Sequence, residues 1–165
     1  MQLEDFYDYK NKLMEDLLTN ETIVSLIAED DGVKDSKTLV YEQVFPVDYI
    51  PETVQKGQTF VCFDVDILSV SNKTFLTPVL YIWVFVHRSK LVLPEGGIRA
   101  DKLCSEICKV INGSRYYGLG ELNLSSVKRY ALMTDYQGKL MTFRAKEFNM
   151  QFNGSKSAPS NRKNF

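Results

Sequence analysis

The chain is poor in the residues that most often carry chemistry. His87 is its one histidine, so neither an imidazole-rich zinc site nor a Cys-His nucleophile pair can be assembled from it. Its three cysteines, Cys62, Cys104 and Cys108, are odd in number, and no cleavable leader is expected ahead of Met1-Gln2-Leu3. That combination predicts reduced thiols in an intracellular compartment and no disulfide framework. The five N-x-S/T triplets carry no weight there. No apolar run reaches the roughly 18 to 20 residues of a membrane helix. A net charge of -1 excludes global attraction to nucleic acid or anionic lipid. Gly118-Leu119-Gly120 lacks the further glycine and the strand-to-helix setting of a dinucleotide loop, and there is no phosphate-binding P-loop.

What the chain does have is one strongly apolar run over 75–88, FLTPVLYIWVFVHR. Leu80, Ile82, Val84 and Val86 alternate with Val79, Tyr81, Trp83 and Phe85, so both faces of a strand here are apolar. Such a strand belongs in mid-sheet with material over both sides. His87 at its end is expected to be a structural imidazole.

The rest arranges itself around that strand. Leu3, Phe6, Leu13 and Leu17 recur at helical spacing and predict a helix to about Leu18. Asn20 or Thr22 can cap a second helical turn bearing Ile23, Val24, Leu26 and Ile27. A short strand is expected over 39–44, then a long connection with two prolines. Thr59 begins a strand to Val70, joined to the apolar run through Ser71, Asn72 and Lys73 as a hairpin. Pro94-Glu95-Gly96-Gly97 breaks the chain before a helix over 98–111. Its buried stripe is Ala100, Leu103, Cys104, Ile107, Val110 and Ile111, and its wet side Arg99, Lys102, Glu106 and Lys109. Strands over 122–134 and 139–149, joined at 135–138, complete the sheet, with Met141, Phe143 and Ala145 turned toward a helix.

These elements predict the α+β class: a mixed, mostly antiparallel sheet of about five strands with two main helices packed on it. Length suits one domain over 1–152. Residues 153–165 are too poor in core-forming side chains to repay their ordering entropy, so they are expected to be disordered or ordered by a partner. Charge is unevenly spread. Nine acids face Lys10 and Lys12 over residues 1–31, whereas six bases face Glu147 alone over 139–165. Opposite signs at the two ends favour head-to-tail association of copies, set against the plainer reading of an acidic helix and a basic tail.

Candidate sites are few. Asp64 and Asp66 are two apart on one strand face and can hold a divalent metal for phosphodiester cleavage, with Glu95 or Asp101 as a third ligand. The competing reading is a strand passing from core to solvent. Cys104 and Cys108, one helical turn apart, read as small buried residues before they read, with Cys62, as zinc ligands. Arg115, Tyr116, Tyr117, Lys128, Arg129 and Tyr130 offer bases and aromatics for nucleic acid, but the balanced charge favours a folded surface. Tyr49, Ile50 and Pro51 in the long connection, with Arg115, Tyr116 and Tyr117 in the loop over 115–120, are the candidate subunit or partner contacts. No catalytic residue, cofactor or metal ligand is assigned, and the chain is read as a non-enzyme.

The element order, with LTNETIVSLIAED, YEQVFPVDYIPET, FDVDILSVSNKTF and GGIRADKLCSEICKVINGS, resembles the tail terminator family of tailed bacteriophages, as found in phages and prophages of low-GC Gram-positive bacteria. The likeness spans residues 3–149 and contains no diagnostic motif. It implies a structural virion protein in the tail or neck, assembled in the host cytoplasm as a hexameric ring. Such a ring closes the tail tube, meets the sheath if the tail is contractile, docks head-completion and neck proteins, and lets DNA pass through its lumen without specific binding. An acidic or mixed channel wall is implied too, for which the acids of the first thirty residues are candidates. The neighbouring alternatives are a head-closure or adaptor protein and, in a different class, a metal-dependent phosphodiesterase or nuclease using Asp64 and Asp66.

Overall fold

A computed structural model describes residues 5–28, 35–48, 57–71, 75–133, 135–145 and 147–148. Among these residues three α-helices, α1 (Asp5–Thr19), α2 (Glu21–Ala28) and α3 (Arg99–Ile111), accompany six strands: β1 (Val44–Phe45), β2 (Thr59–Ser71), β3 (Phe75–His87), β4 (Asn123–Met133), β5 (Tyr136–Arg144) and β6 (Glu147–Phe148). They form an α+β fold around one sheet of order β1-β2-β3-β5-β4, in which β6 continues along β3 beyond the end of β5. Every pairing is antiparallel except β1 with β2. The apolar run is indeed the middle strand, with β2 on one side and β5 on the other.

Alternation along β3 divides the interior into two clusters. Leu80, Ile82, Val84 and Val86 meet Val61 and Phe63 of β2, Met141 and Phe143 of β5, and the buried stripes of all three helices. The opposite face gathers Phe45, Phe60, Cys62, Trp83, Phe85 and Tyr136, with Tyr81, Tyr130 and Leu140 against them. The helices therefore share one side of the sheet, and the other side is closed by aromatic rings packed 5.8 to 6.4 Å apart. Thr142, which alternates with Met141 and Phe143 along β5, is buried on this second face.

Helix α1 buries Leu13 and Leu17 as its spacing demands, and adds Tyr9, which the apolar pattern alone did not select. Asn20 caps α2 by accepting the Ile23 amide at 3.1 Å. The far end of α2 is closed by long side chains from elsewhere in the chain. Arg99 Nη1 donates to the Leu26 carbonyl at 2.9 Å, and Gln43 Nε2 donates to the Ile27 carbonyl at 2.9 Å. A helix end leaves several carbonyls without intrahelical donors, and here a guanidinium and an amide supply them. This corrects the expectation that Arg99 lies on the wet side of α3: it is 6% exposed, and its Nε also donates to the Lys90 carbonyl at 2.8 Å.

Two further expectations change. The strand predicted over 39–44 is confined to Val44–Phe45. Asp35 accepts the Lys37 amide at 3.0 Å and starts a 3-10 turn at Ser36–Leu39, and Tyr41 then takes a left-handed conformation with φ 59 that reverses the chain. The last hairpin is tighter than the predicted turn over 135–138, because Met133 already pairs with Tyr136. Gly138 is consequently a strand residue. A Cβ there would lie 2.6 Å from the Tyr130 carbonyl oxygen and 3.0 Å from the Phe85 ring, so close approach fixes glycine at this position. At the break before α3, by contrast, Gly96 and Gly97 have φ 94 and 93, and the turn they make is closed by the Leu93 amide donating to the Gly97 carbonyl at 3.0 Å.

Candidate interaction surface

Asp64 and Asp66 project from the aromatic side of β2, as their alternation requires. With Asp48, Tyr81, Trp83, Tyr130 and Leu140 they line a hollow of about 370 Å³. Asp64 is already engaged. Its Oδ1 accepts from the Tyr9 hydroxyl at 3.2 Å and from the Val65 amide at 2.9 Å, and it pairs with Lys10 at 3.3 Å. Burial, then the charge of Asp64 and the hydrogen bond to it, pushes the Tyr9 hydroxyl well above the ordinary tyrosine range.

The proposed third ligands are spent elsewhere. Glu95 pairs with Lys102 at 2.6 Å and Asp101 with Lys139 at 2.9 Å. The hydrogen bond from Lys102 holds the Glu95 carboxyl below its ordinary range. Among the described residues no three histidine, cysteine or acidic side chains are arranged to hold a metal ion. The thiols do not converge either: Cys62 belongs to the aromatic cluster, whereas Cys104 and Cys108 lie with the helices. Burial pushes the Cys104 thiol up to about 12, the opposite of what a reactive or metal-binding thiolate needs.

His87 is built into the end of β3. Its Nδ1 accepts the Ser89 amide at 3.3 Å and lies 2.7 Å from the Ser89 hydroxyl, and its ring meets Tyr136 edge-on at 5.3 Å. The imidazole shapes the turn that leaves the sheet.

The loop residues separate into two kinds. Arg115 is exposed and gives two donors to Glu121 Oε2, at 2.6 and 3.0 Å, which lowers the Glu121 carboxyl. Tyr116 is 57% exposed, with Lys12 Nζ 5.5 Å from its ring centre. Tyr117 is corrected from surface candidate to core residue: it is 1% exposed, and its hydroxyl donates to Asp16 Oδ2 at 2.7 Å. Its ring fills the space between the loop and α1, and burial followed by that hydrogen bond raises its hydroxyl far above the ordinary range. Tyr49, Ile50 and Pro51 lie outside the described residues. The basic residues Lys128 and Arg129 stand on β4, whose outer side has no neighbouring strand among the described residues. Exposed Leu124 and Val127 on that strand were not selected by the sequence pattern, although edge position and apolar type together would have marked them.

This geometry defines an α+β domain in which Asp64, Glu95, Asp101 and His87 are held by contacts within the chain. The chain belongs to the YomW family, a phage-derived family whose model matches residues 12–145. The comparison with curated proteins gives no match. Among solved structures the chain is similar to one from "Virion of native gene transfer agent (GTA) particle", at 21% identity and a TM-score of 0.44, over 76% of this chain and 91% of that one. No helix of the described residues is long and apolar enough to cross a membrane.

Proposed function

We propose that this chain is a structural protein of the phage virion, a tail terminator that forms a hexameric ring, caps the tail tube and joins it to the head or neck. Membership of the phage-derived YomW family across residues 12–145 carries the reading. The fold supports it through a sheet whose two ends lack a neighbouring strand among the described residues, because a ring needs two different patches per copy that meet by rotation. Function is then mechanical: binding energy between copies stops tube growth, and the ring's other face receives the head-completion proteins. DNA passes through the lumen without specific contacts, in keeping with a net charge of -1. The ring is assembled in the host cytoplasm and resides in the virion.

Mass measurement of the purified chain, alone and with tail tubes, tests this. A species near six copies, seated on tube ends, is the expected result. A strict monomer that never joins a tube at high concentration overturns it. Binding to head-completion proteins in place of tube ends would make the chain a head-closure or adaptor protein.

A further inference from the structure

Among the described residues the sheet has two edges without a neighbouring strand, and they differ in charge. On β4, Lys128 and Arg129 are exposed and make no ion pair among the described residues. Leu124, Val127 and Arg129 share the helix-facing side of β4, where Leu124 and Val127 stand 38% and 46% exposed, while Lys128 alternates to the aromatic side. At the other end, β2 is paired by β1 only at Val61 and Cys62, and beyond them nothing among the described residues pairs its outer side. Exposed Asp48, Asp66 and Leu68 lie there, with half-buried Asp64, which Lys10 already pairs at 3.3 Å. Strand edges of this kind are either blunted or used. The β2 edge is partly blunted, since the Val65 amide already donates to Asp64. The β4 edge instead opens onto a groove of about 660 Å³ between α3 and β4, floored by Cys104, Cys108 and Met141 and walled by Leu124 and Val127.

We propose that the β4 edge and this groove seat a second copy of the chain, which presents the acidic β2 edge of its own sheet to Lys128 and Arg129. The proposal rests on the ring reading above and gives that ring its interface. Unlike edges attract, whereas two β4 edges or two β2 edges repel, so charge enforces head-to-tail contact. One acceptor and one donor edge per copy is the arrangement that closes by rotation. Leu124 and Val127 supply the apolar centre and the charges its rim.

Sedimentation of the full chain tests the interface through charge reversal. Asp66→Lys alone, and Lys128→Glu with Arg129→Glu, should each weaken self-association about tenfold, and all three together should restore it. All three positions are exposed, and a far-UV spectrum and urea midpoint matching the parent protein verify folding. A second readout needs no substitution: alkylation of half-buried Cys108 should slow severalfold in the assembled fraction relative to the monomer. Hexamers that ignore the reversals, a triple variant that fails to recover, or unchanged Cys108 labelling overturn this interface while leaving the ring intact. A chain that stays monomeric with and without tail tubes overturns both.

Discussion

Arg99 Nη1 lies 2.9 Å from the Leu26 carbonyl oxygen, a hydrogen bond across 73 positions that ties the start of α3 to the end of α2. Arg99→Ala should therefore destabilise the fold by about 3 kcal/mol, because the Leu26 carbonyl loses its donor in a buried setting. Arg99→Lys should recover part of the loss, since an ammonium cannot span two carbonyls as the planar guanidinium does. Urea denaturation checks both. An alanine variant within 0.5 kcal/mol of the parent, on the order of an ordinary surface change, would contradict the role assigned to this side chain.

Tyr117→Phe keeps the ring and removes the donor to Asp16, so a loss of about 1–2 kcal/mol is expected at neutral pH. The hydroxyl also links stability to alkali. Tyr9 and Tyr117 are both raised above the ordinary 10.0, so the folded chain holds two protons that the unfolded chain releases. The stabilisation is complete below about pH 10 and falls as pH climbs past that value, the direction required when the unfolded state binds fewer protons. Urea midpoints between pH 8 and 11 should drop more steeply for the parent than for Tyr117→Phe. Equal slopes would refute the linkage.

Gly138→Ala should cost about 1–3 kcal/mol, the usual range for overpacking, because the added methyl meets a backbone carbonyl that cannot swing away. Amide hydrogen exchange should show the loss concentrated where β4 pairs with β5. An unchanged melting curve would show that the hairpin yields without cost.

Under native conditions at pH 8, one thiol per chain should react rapidly with an alkylating agent. Cys62 is fully buried, Cys104 is buried with its thiol pushed up to about 12, and Cys108 is half-buried. Intact mass after timed labelling gives the count; two fast thiols would mean that α3 sits more loosely on the sheet than described.

Much of this fold was legible because β3 is apolar on both faces and β2 on one, so hydrophobic period alone set the central hairpin. The stripe of α3 was equally plain. Arg99 was misread for a physical reason: periodicity sees a charge and assigns solvent, while its true partners are carbonyls distant in sequence. The strand expected over 39–44 failed because Val40, Tyr41 and Val44 have strand propensity, yet Asp35 and the left-handed Tyr41 impose a turn. Tyr117 was chosen for its loop position, and nothing local reveals that Asp16 receives its hydroxyl. Asp64 and Asp66 were correctly placed on one face, but the Tyr9 and Lys10 contacts that occupy Asp64 come from another element.

Trp83, the single tryptophan, sits in the aromatic cluster on the side of the sheet away from the helices. Its emission therefore reports on that layer alone, while circular dichroism near 222 nm, the usual helical signal, reports on the other. Coincident denaturation curves from the two signals would show that both layers melt as one cooperative unit. Divergent curves would identify which layer lets go first.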